Sequence, residues 1–331
     1  MKGKCSDTKN IDVIALGELL IDFTENGFSV SGNPILEANP GGAPCNVLAM
    51  LQNLGKRTAF IGKVGKDAFG QYLTETVRSI GIDTTNLVQD EEVPTTLAFV
   101  HTAADGDRSF SFYRNPGADM CLSKDEIDYG QIDTAKIFHF GTLSMTHEGV
   151  REATKEAVAH AKEQGLLISF DPNYRPLLWK DAETAKEMMR YGFSACDILK
   201  ISDDEIMFVT GKDTVSEAMD VFFEEFKPRL ACVTCGKKGS IAVYNDKRMP
   251  CEAILTSDTI ETTGAGDTFM ACILNYVLEH GLDNLSIYDI MEMQEFAAGA
   301  ASLVTTKKGA LKVMPKKDEV IDWLLPFREA K

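Results

Sequence analysis

From residue 137 onward, short apolar runs alternate with longer helical stretches, and this alternation restricts the possible fold more than any other feature of the chain. The runs at 137–140, 166–170, 197–201 and 230–234 are too short for helices and read as buried strands. Between them, 148–163, 182–191, 204–208 and 215–226 read as helices. Strands alternating with helices call for a mainly parallel sheet covered on both faces, an α/β architecture. Ligands of such sheets gather beyond the carboxyl ends of the strands.

The amino-terminal part adds further elements. Residues 11–16 (IDVIAL) read as a central strand, which 17–23 continues past an acid, Asp22. Residues 27–40 carry Gly32, Pro34 and Pro40 and read as loops and edge strands. Gly41-Gly42-Ala43-Pro44-Cys45-Asn46 opens a helix whose apolar stripe ends at Leu54. A strand at 59–62 and a helix to Ile80 follow. Two alternating runs, 96–101 and 108–114, flank an Asp-Gly turn and make a β-hairpin. On its second strand Arg108, Phe110, Phe112 and Arg114 share one face. Two arginines do not suit a core, so the hairpin reads as part of a small sheet laid over a polar site. Residues 241–244 pair back on 230–234, and helices at 265–278 and 288–304 close the pattern.

The formal net charge of −16 over 331 residues repels nucleic acids and anionic membranes. No apolar run is long enough to span a bilayer, and the basic N-terminus leads into polar residues rather than a secretory segment. The expected location is the cytoplasm. The eight cysteines are scattered, and the pair Cys232 and Cys235 has neither a second pair nor a nearby His, so reduced thiols are expected.

The unusual polar residues fall at strand ends: Asp22, Asn46, Lys63, Asp171-Pro172-Asn173-Tyr174-Arg175, Lys200 with Asp203, Asp204 and Glu205, then Thr234 and Gly236. The last is Glu261-Thr262-Thr263-Gly264-Ala265-Gly266-Asp267, which runs straight into an apolar helix. Small residues at a helix start present free N–H groups and the positive end of the helix dipole, a seat for phosphate. Taken alone, Asp267 reads first as a helix cap. Beside an anion seat it reads instead as a base acting on a hydroxyl that attacks phosphorus. Converging on one sheet edge, these groups are the parts of a phosphoryl-transfer site. A GxxxxGK[ST] loop, a strand–GxGxxG–helix unit, a second zinc-protease His and a GxSxG elbow are all missing from the sequence.

These segments resemble the ribokinase-like (PfkB) carbohydrate kinases, bacterial fructokinases most closely. Residues 41–54 resemble the first signature of that family, and 262–274 the second. Residues 17–23, 62–65, 112–116, 171–173, 200–205 and 306–309 match fructokinase segments in order. The resemblance implies one three-layer α/β/α kinase domain over 1–331, with a β lid at 23–40 and 95–116. The implied reaction moves the γ-phosphoryl of ATP to the 6-hydroxyl of D-fructose; 2-keto-3-deoxygluconate kinases, ribokinases and a non-catalytic sugar sensor are the alternatives. Asp267 would be the base, and Gly264, Ala265 and Gly266 the anion hole. Asp22, Gly42, Asn46, Phe112, Arg114 and Arg175 would bind sugar. Asn173, Lys200, Thr234, Gly236, Gly239 and Ala298 would face the nucleotide. Glu205 and Asn173 would hold Mg²⁺ through water. Glu261 replaces the usual Asp beside a monovalent-cation site, which puts K⁺ dependence in question. The lid would also form a homodimer interface.

Overall fold

The structure, a computed structural model, describes residues 9–102 and 108–329. The Asp-Gly turn and the side chains of Arg108 and Phe110 lie outside the described residues. The first strand, β1 (Ile11–Leu16), sits inside a nine-stranded sheet. On one side it pairs in parallel with β4 (Thr58–Gly65), which pairs with β5 (Leu87–Asp90). On the other side it meets β8 (Ala135–Phe140), followed in parallel by β9 (Leu167–Phe170), β10 (Ile198–Ser202) and β11 (Leu230–Thr234). Two antiparallel strands, β12 (Ser240–Tyr244) and β13 (Lys247–Cys251), finish that edge.

Every side chain of β1 is buried because the sheet is covered on both faces. Val13 and Ala15 point into one apolar layer, with α1 (Ala43–Asn53), α2 (Ala68–Ile80), α8 (Ala265–His280), α9 (Ile287–Val304) and α10 (Lys317–Glu329). Ile14 and Leu16 point into the other, with α3 (Tyr129–Asp133), α4 (Glu148–Glu163), α5 (Ala182–Ala195), α6 (Asp203–Thr210) and α7 (Val215–Glu225). The chain order reverses at β1, which opens a crevice at the carboxyl ends of β1 and β8.

A second, four-stranded sheet lies at that end: β3 (Pro34–Gly41), β2 (Leu20–Phe28), β6 (Leu97–Thr102) and β7 (Arg108–Tyr113). Successive side chains of β2 take opposite faces around Asp22 and Phe23. Phe23 stacks on Phe99 at 5.0 Å and meets Phe69 edge-on, while Asp22, opposite Ala98, points the other way. The expectation that 17–23 continues β1 is corrected here. The strand stops at Leu16, and after Gly17-Glu18-Leu19 the chain enters the second sheet. An apolar run interrupted only by Gly17 and Glu18 between Leu16 and Ile21 hides such a change, because both stretches are buried. Strands β5 and β13 and helix α10 carry too few buried side chains, or an internal proline (Pro326), to stand out in the sequence.

Lys63 is also corrected. Strand β4 extends past it, and its ammonium lies 2.9 Å from both Asp90 and Glu126, away from the crevice. Removing a largely buried cation strands two carboxylates, whereas an exposed pair contributes little. Lys63→Met is therefore expected to lose about 3 kcal/mol of stability in urea unfolding, and Glu225→Gln, at the exposed Arg190 pair, less than about 0.5 kcal/mol.

Candidate active site

Helix α8 begins where Gly264 takes a left-handed φ of 79°, a conformation glycine adopts without strain. The Ala265 N–H turns back to the Thr262 carbonyl at 3.3 Å and the Thr268 N–H to Gly264 at 2.8 Å. Among the described residues, the N–H groups of Gly266 and Asp267 have no backbone acceptor. They stand at the positive end of the helix as a seat for an anion; of the three residues expected there, the Gly264 N–H likewise has no backbone acceptor, while the Ala265 N–H is taken by Thr262. Gly266 also has no room to spare: a Cβ there would lie 2.9 Å from the Lys200 ammonium.

Asp267 does not cap the helix. Its Oδ2 accepts from the Asn46 amide at 2.8 Å, and its Oδ1 from the Asn173 amide at 3.3 Å. The carboxyl is only 8% exposed, and burial, reinforced by nearby Asp171, raises its pKa to about 6, while the Asn46 hydrogen bond pulls the other way. The group is thus ionised at neutral pH yet a much better proton acceptor than a solvated aspartate. Lys200, in the middle of β10, pairs with Asp171 at 3.1 Å. Burial alone would lower its pKa, but Asp171, Glu205 and Asp267 hold it above the ordinary lysine value. A fixed cation therefore stands beside the donor pair.

A cavity of about 580 Å³ opens in front of these groups. Asp22, Gly42, Asn46, Phe112, Asn173, Arg175, Lys200, Glu205, Gly264, Gly266 and Asp267 all line it, brought from β2, the start of α1, β7, the turn after β9, β10, α6 and the start of α8. Asp22 enters from the small sheet; burial lifts its carboxyl to about 6, Arg175 opposes the shift and Glu261 adds to it. Glu205 accepts from the Tyr174 N–H at 2.7 Å and the Ser202 N–H at 2.8 Å, so its carboxylate is held rigidly at the start of α6. Glu261 bridges two loops, accepting from Thr263 Oγ1 at 2.5 Å and the Gly309 N–H at 3.0 Å.

Arg114 does not line this cavity. Strand β7 ends at Tyr113, so the two-residue period that would aim Arg114 alongside Phe112 stops short. Its guanidinium is buried instead, bonded to Asp119, Thr146 and the Leu143 carbonyl. Ala265 is likewise off the wall, its N–H consumed in the turn. Thr234, Gly236 and Gly239 sit beyond the wall, on β11 and the turn that follows it; Thr234 pairs with Ser202, which does line the cavity. Ala298 lies within α9, half-buried. Glu18, which sequence reasoning passed over, forms part of the wall at 4% exposure. An acid inside the apolar run 16–21 was the available signal, because burying a carboxyl is costly unless something requires it.

Residues 10–317 match the model of the pfkB family carbohydrate kinases. The chain is 38% identical over 332 residues to a protein named "Probable fructokinase-2" from Arabidopsis thaliana, covering 98% of each. Among solved structures, it superposes on a fructokinase with bound ATP from Xylella fastidiosa with a TM-score of 0.87 at 27% identity, covering 98% of this chain and 100% of that one. A fructokinase double mutant from Vibrio cholerae O395, in a form with fructose, ADP and potassium ion bound, gives a TM-score of 0.85 at 27% identity over 96% and 99%. The ribokinase-like α/β fold expected from the sequence is the one present. The chain belongs to the pfkB family of carbohydrate kinases.

Proposed function

We propose that this kinase transfers the γ-phosphoryl group of ATP to the 6-hydroxyl of D-fructose. The observation that carries the reading is Asp267: a buried, weakly acidic carboxylate, oriented by two amides, at the mouth of an open N–H pair. The names of the relatives support fructose as the acceptor.

In this reading the hydroxyl donates its proton to Asp267 as its oxygen bonds to the γ-phosphorus. The bond from phosphorus to the β–γ bridging oxygen breaks, and its electron pair leaves on ADP. Charge on the transferred group meets the Gly266 and Asp267 N–H groups and the Lys200 ammonium, donors already fixed before the reaction. Asp22, Asn46, Gly42 and Arg175 orient the sugar hydroxyls, and Phe112 covers the ring. Thr234, Gly236 and Gly239 flank the nucleotide end, with Ala298 near the base. The small sheet acts as the lid within one kinase domain.

Among the described residues no group of three or more His, Cys, Asp or Glu side chains forms a ready metal cage. Glu205 and Asn173, both on the wall, offer oxygen atoms suited to the water shell of a hard cation, so Mg²⁺ fits as an ion shared with phosphate and water. Bound there, Mg²⁺ would supply positive charge for the β- and γ-oxygens.

The exposed Phe28, Leu36 and Tyr113 leave the small sheet with an apolar outer surface, and a homodimer through it would cover them. Sedimentation velocity is expected to give twice the mass of one chain, falling to one chain with Leu36→Glu; a single-chain mass for the unaltered protein overturns this arrangement. The seven cysteines among the described residues are free thiols, and no helix among them is long and apolar enough to cross a membrane. A cytoplasmic location belongs to this proposal, with the free thiols in its support.

A coupled ADP-release assay over a sugar panel is the first test. Fructose should be turned over fastest; ribose or 2-keto-3-deoxygluconate in its place moves the chain to a sister activity, and sugar-induced thermal stabilisation without ADP marks a sensor. Because Glu261 itself ties the Thr263 and Gly309 loops together, exchanging K⁺ for Na⁺ in this assay should leave turnover within about twofold. The second test concerns the base. Asp267 must be ionised, and Asp22 loses charge in the same range, so kcat/KM should fall below pH of about 6 with a slope between one and two. Asp267→Asn should lower kcat at least about 10³-fold while ATP binding stays within a few-fold. Turnover within a few-fold of the unaltered enzyme would remove Asp267 from the base role.

A further inference from the structure

We infer that Glu18 is a positioning residue for the phosphoryl transfer: its carboxylate, seated where the chain crosses between the two sheets, fixes the start of α1 and thereby holds Asn46 on Asp267. The inference rests on the proposed role of Asp267 as base.

The chain leaves the large sheet at Gly17-Glu18-Leu19 and returns from the small one at Gly41-Gly42-Ala43, and Leu20 pairs with Gly41 where the two crossings meet. Glu18 joins them: its Oε1 accepts the Ala43 N–H at 2.7 Å. Helix α1 has no cap of its own, since Gly42 lacks a side chain and Pro44 lacks an N–H. Gly42 is held at φ 135°, and any Cβ there would collide with the Glu18 carbonyl, so backbone and side chain of Glu18 grip the same corner. One turn on, the Asn46 N–H bonds to the Gly42 carbonyl at 3.0 Å, and the Asn46 amide reaches Asp267 at 2.8 Å. Three hydrogen bonds thus link Glu18 to the base.

The groups facing Glu18 come from every element around it. Arg114 and Asp119 approach from the root of the hairpin, and Cys45 from α1. His139, Asp171 and Asp267 share with it a small void of about 10 Å³, room for about one water. Burial raises the Glu18 carboxyl to about 7. Near neutral pH it is therefore present in both charge states, and either one can accept the Ala43 N–H. What the site uses, on this reading, is an acceptor atom at glutamate's reach rather than a charge.

Two conservative variants separate these properties. Glu18→Gln keeps length and acceptor but not charge, whereas Glu18→Asp keeps charge but withdraws the oxygens by about 1.5 Å, one C–C bond. With the sugar the panel identifies, Glu18→Gln should retain kcat within about threefold and leave the acid limb of the pH profile in place. Glu18→Asp should lose about ten- to a hundredfold in kcat, and its acid limb should move to higher pH, because the Asn46 hydrogen bond that lowers the Asp267 pKa is weakened. In an Asn46→Ala background, Glu18→Asp should add little further loss. Glu18→Asp matching the unaltered enzyme, or lowering only Tm with kcat and the limb unmoved, overturns the inference, as does Glu18→Gln being as impaired as Glu18→Asp. If Glu18→Asp does not fold, the Glu18→Gln profile decides, an unmoved limb supporting the inference and a shifted one overturning it. Asp267→Asn measured alongside keeps the two readings apart: its retaining activity defeats the base assignment, while its loss together with a normal Glu18→Asp defeats the positioning role alone.

Discussion

The structure depends on keeping one carboxylate out of water without neutralising it. Asp267 sits at the start of α8, where helix geometry leaves N–H donors open and the dipole favours negative charge. Burial alone would push the group toward the neutral acid, and Asp171 pushes the same way. Two amides from distant parts of the chain hold it, Asn46 from α1 and Asn173 from the turn after β9. Lys200 adds a positive charge nearby, itself secured by Asp171. The balance sets a base of intermediate strength.

That balance explains why so many elements converge here. A parallel sheet covered by helices on both faces leaves its carboxyl ends as the one edge where several chain segments can place polar groups side by side. The large sheet supplies Lys200 and the turn bearing Asn173, the helices supply Asn46 and the N–H pair, and the small sheet contributes Asp22 and Phe112. Backbone N–H groups add rigidity to the acids around the site. Glu205 is pinned by two N–H groups, Glu261 by a hydroxyl and an N–H, and Glu18 by the start of α1. Buried acids with such partners hold their geometry, which is what positioning a reacting hydroxyl requires.

The root of the small sheet carries its own buried polar network. Arg114 holds Asp119 Oδ2 through both Nε and Nη2, and Asp119 in turn receives the Thr96 hydroxyl. The arginine that the hairpin pattern aimed at the sugar thus anchors the sheet to the body of the protein. A buried arginine–aspartate pair of this kind is a weak source of net stability, but breaking it leaves an uncompensated charge. The pair therefore fixes where the hairpin attaches.

Local chemistry was enough to read the layered α/β fold, the glycine turn before α8, and the placing of Asn46 at the start of α1, Asn173 after β9 and Glu205 just after β10. Apolar period, turn residues and helix starts are short-range properties, and these residues lie next to them in the chain. Other features depended on contacts between distant segments. Sequence alone gave no means of separating β1 from β2, since an apolar run looks the same whether it stays in one sheet or passes to another. Nor did it show that β4 continues through Lys63 toward Asp90, or that β7 stops one residue before Arg114. Whether Asp267 caps its own helix or faces two asparagines, one of them 221 residues away, was decided only when the strands closed into a sheet. Residue type set which groups could do chemistry, and packing set which of them met.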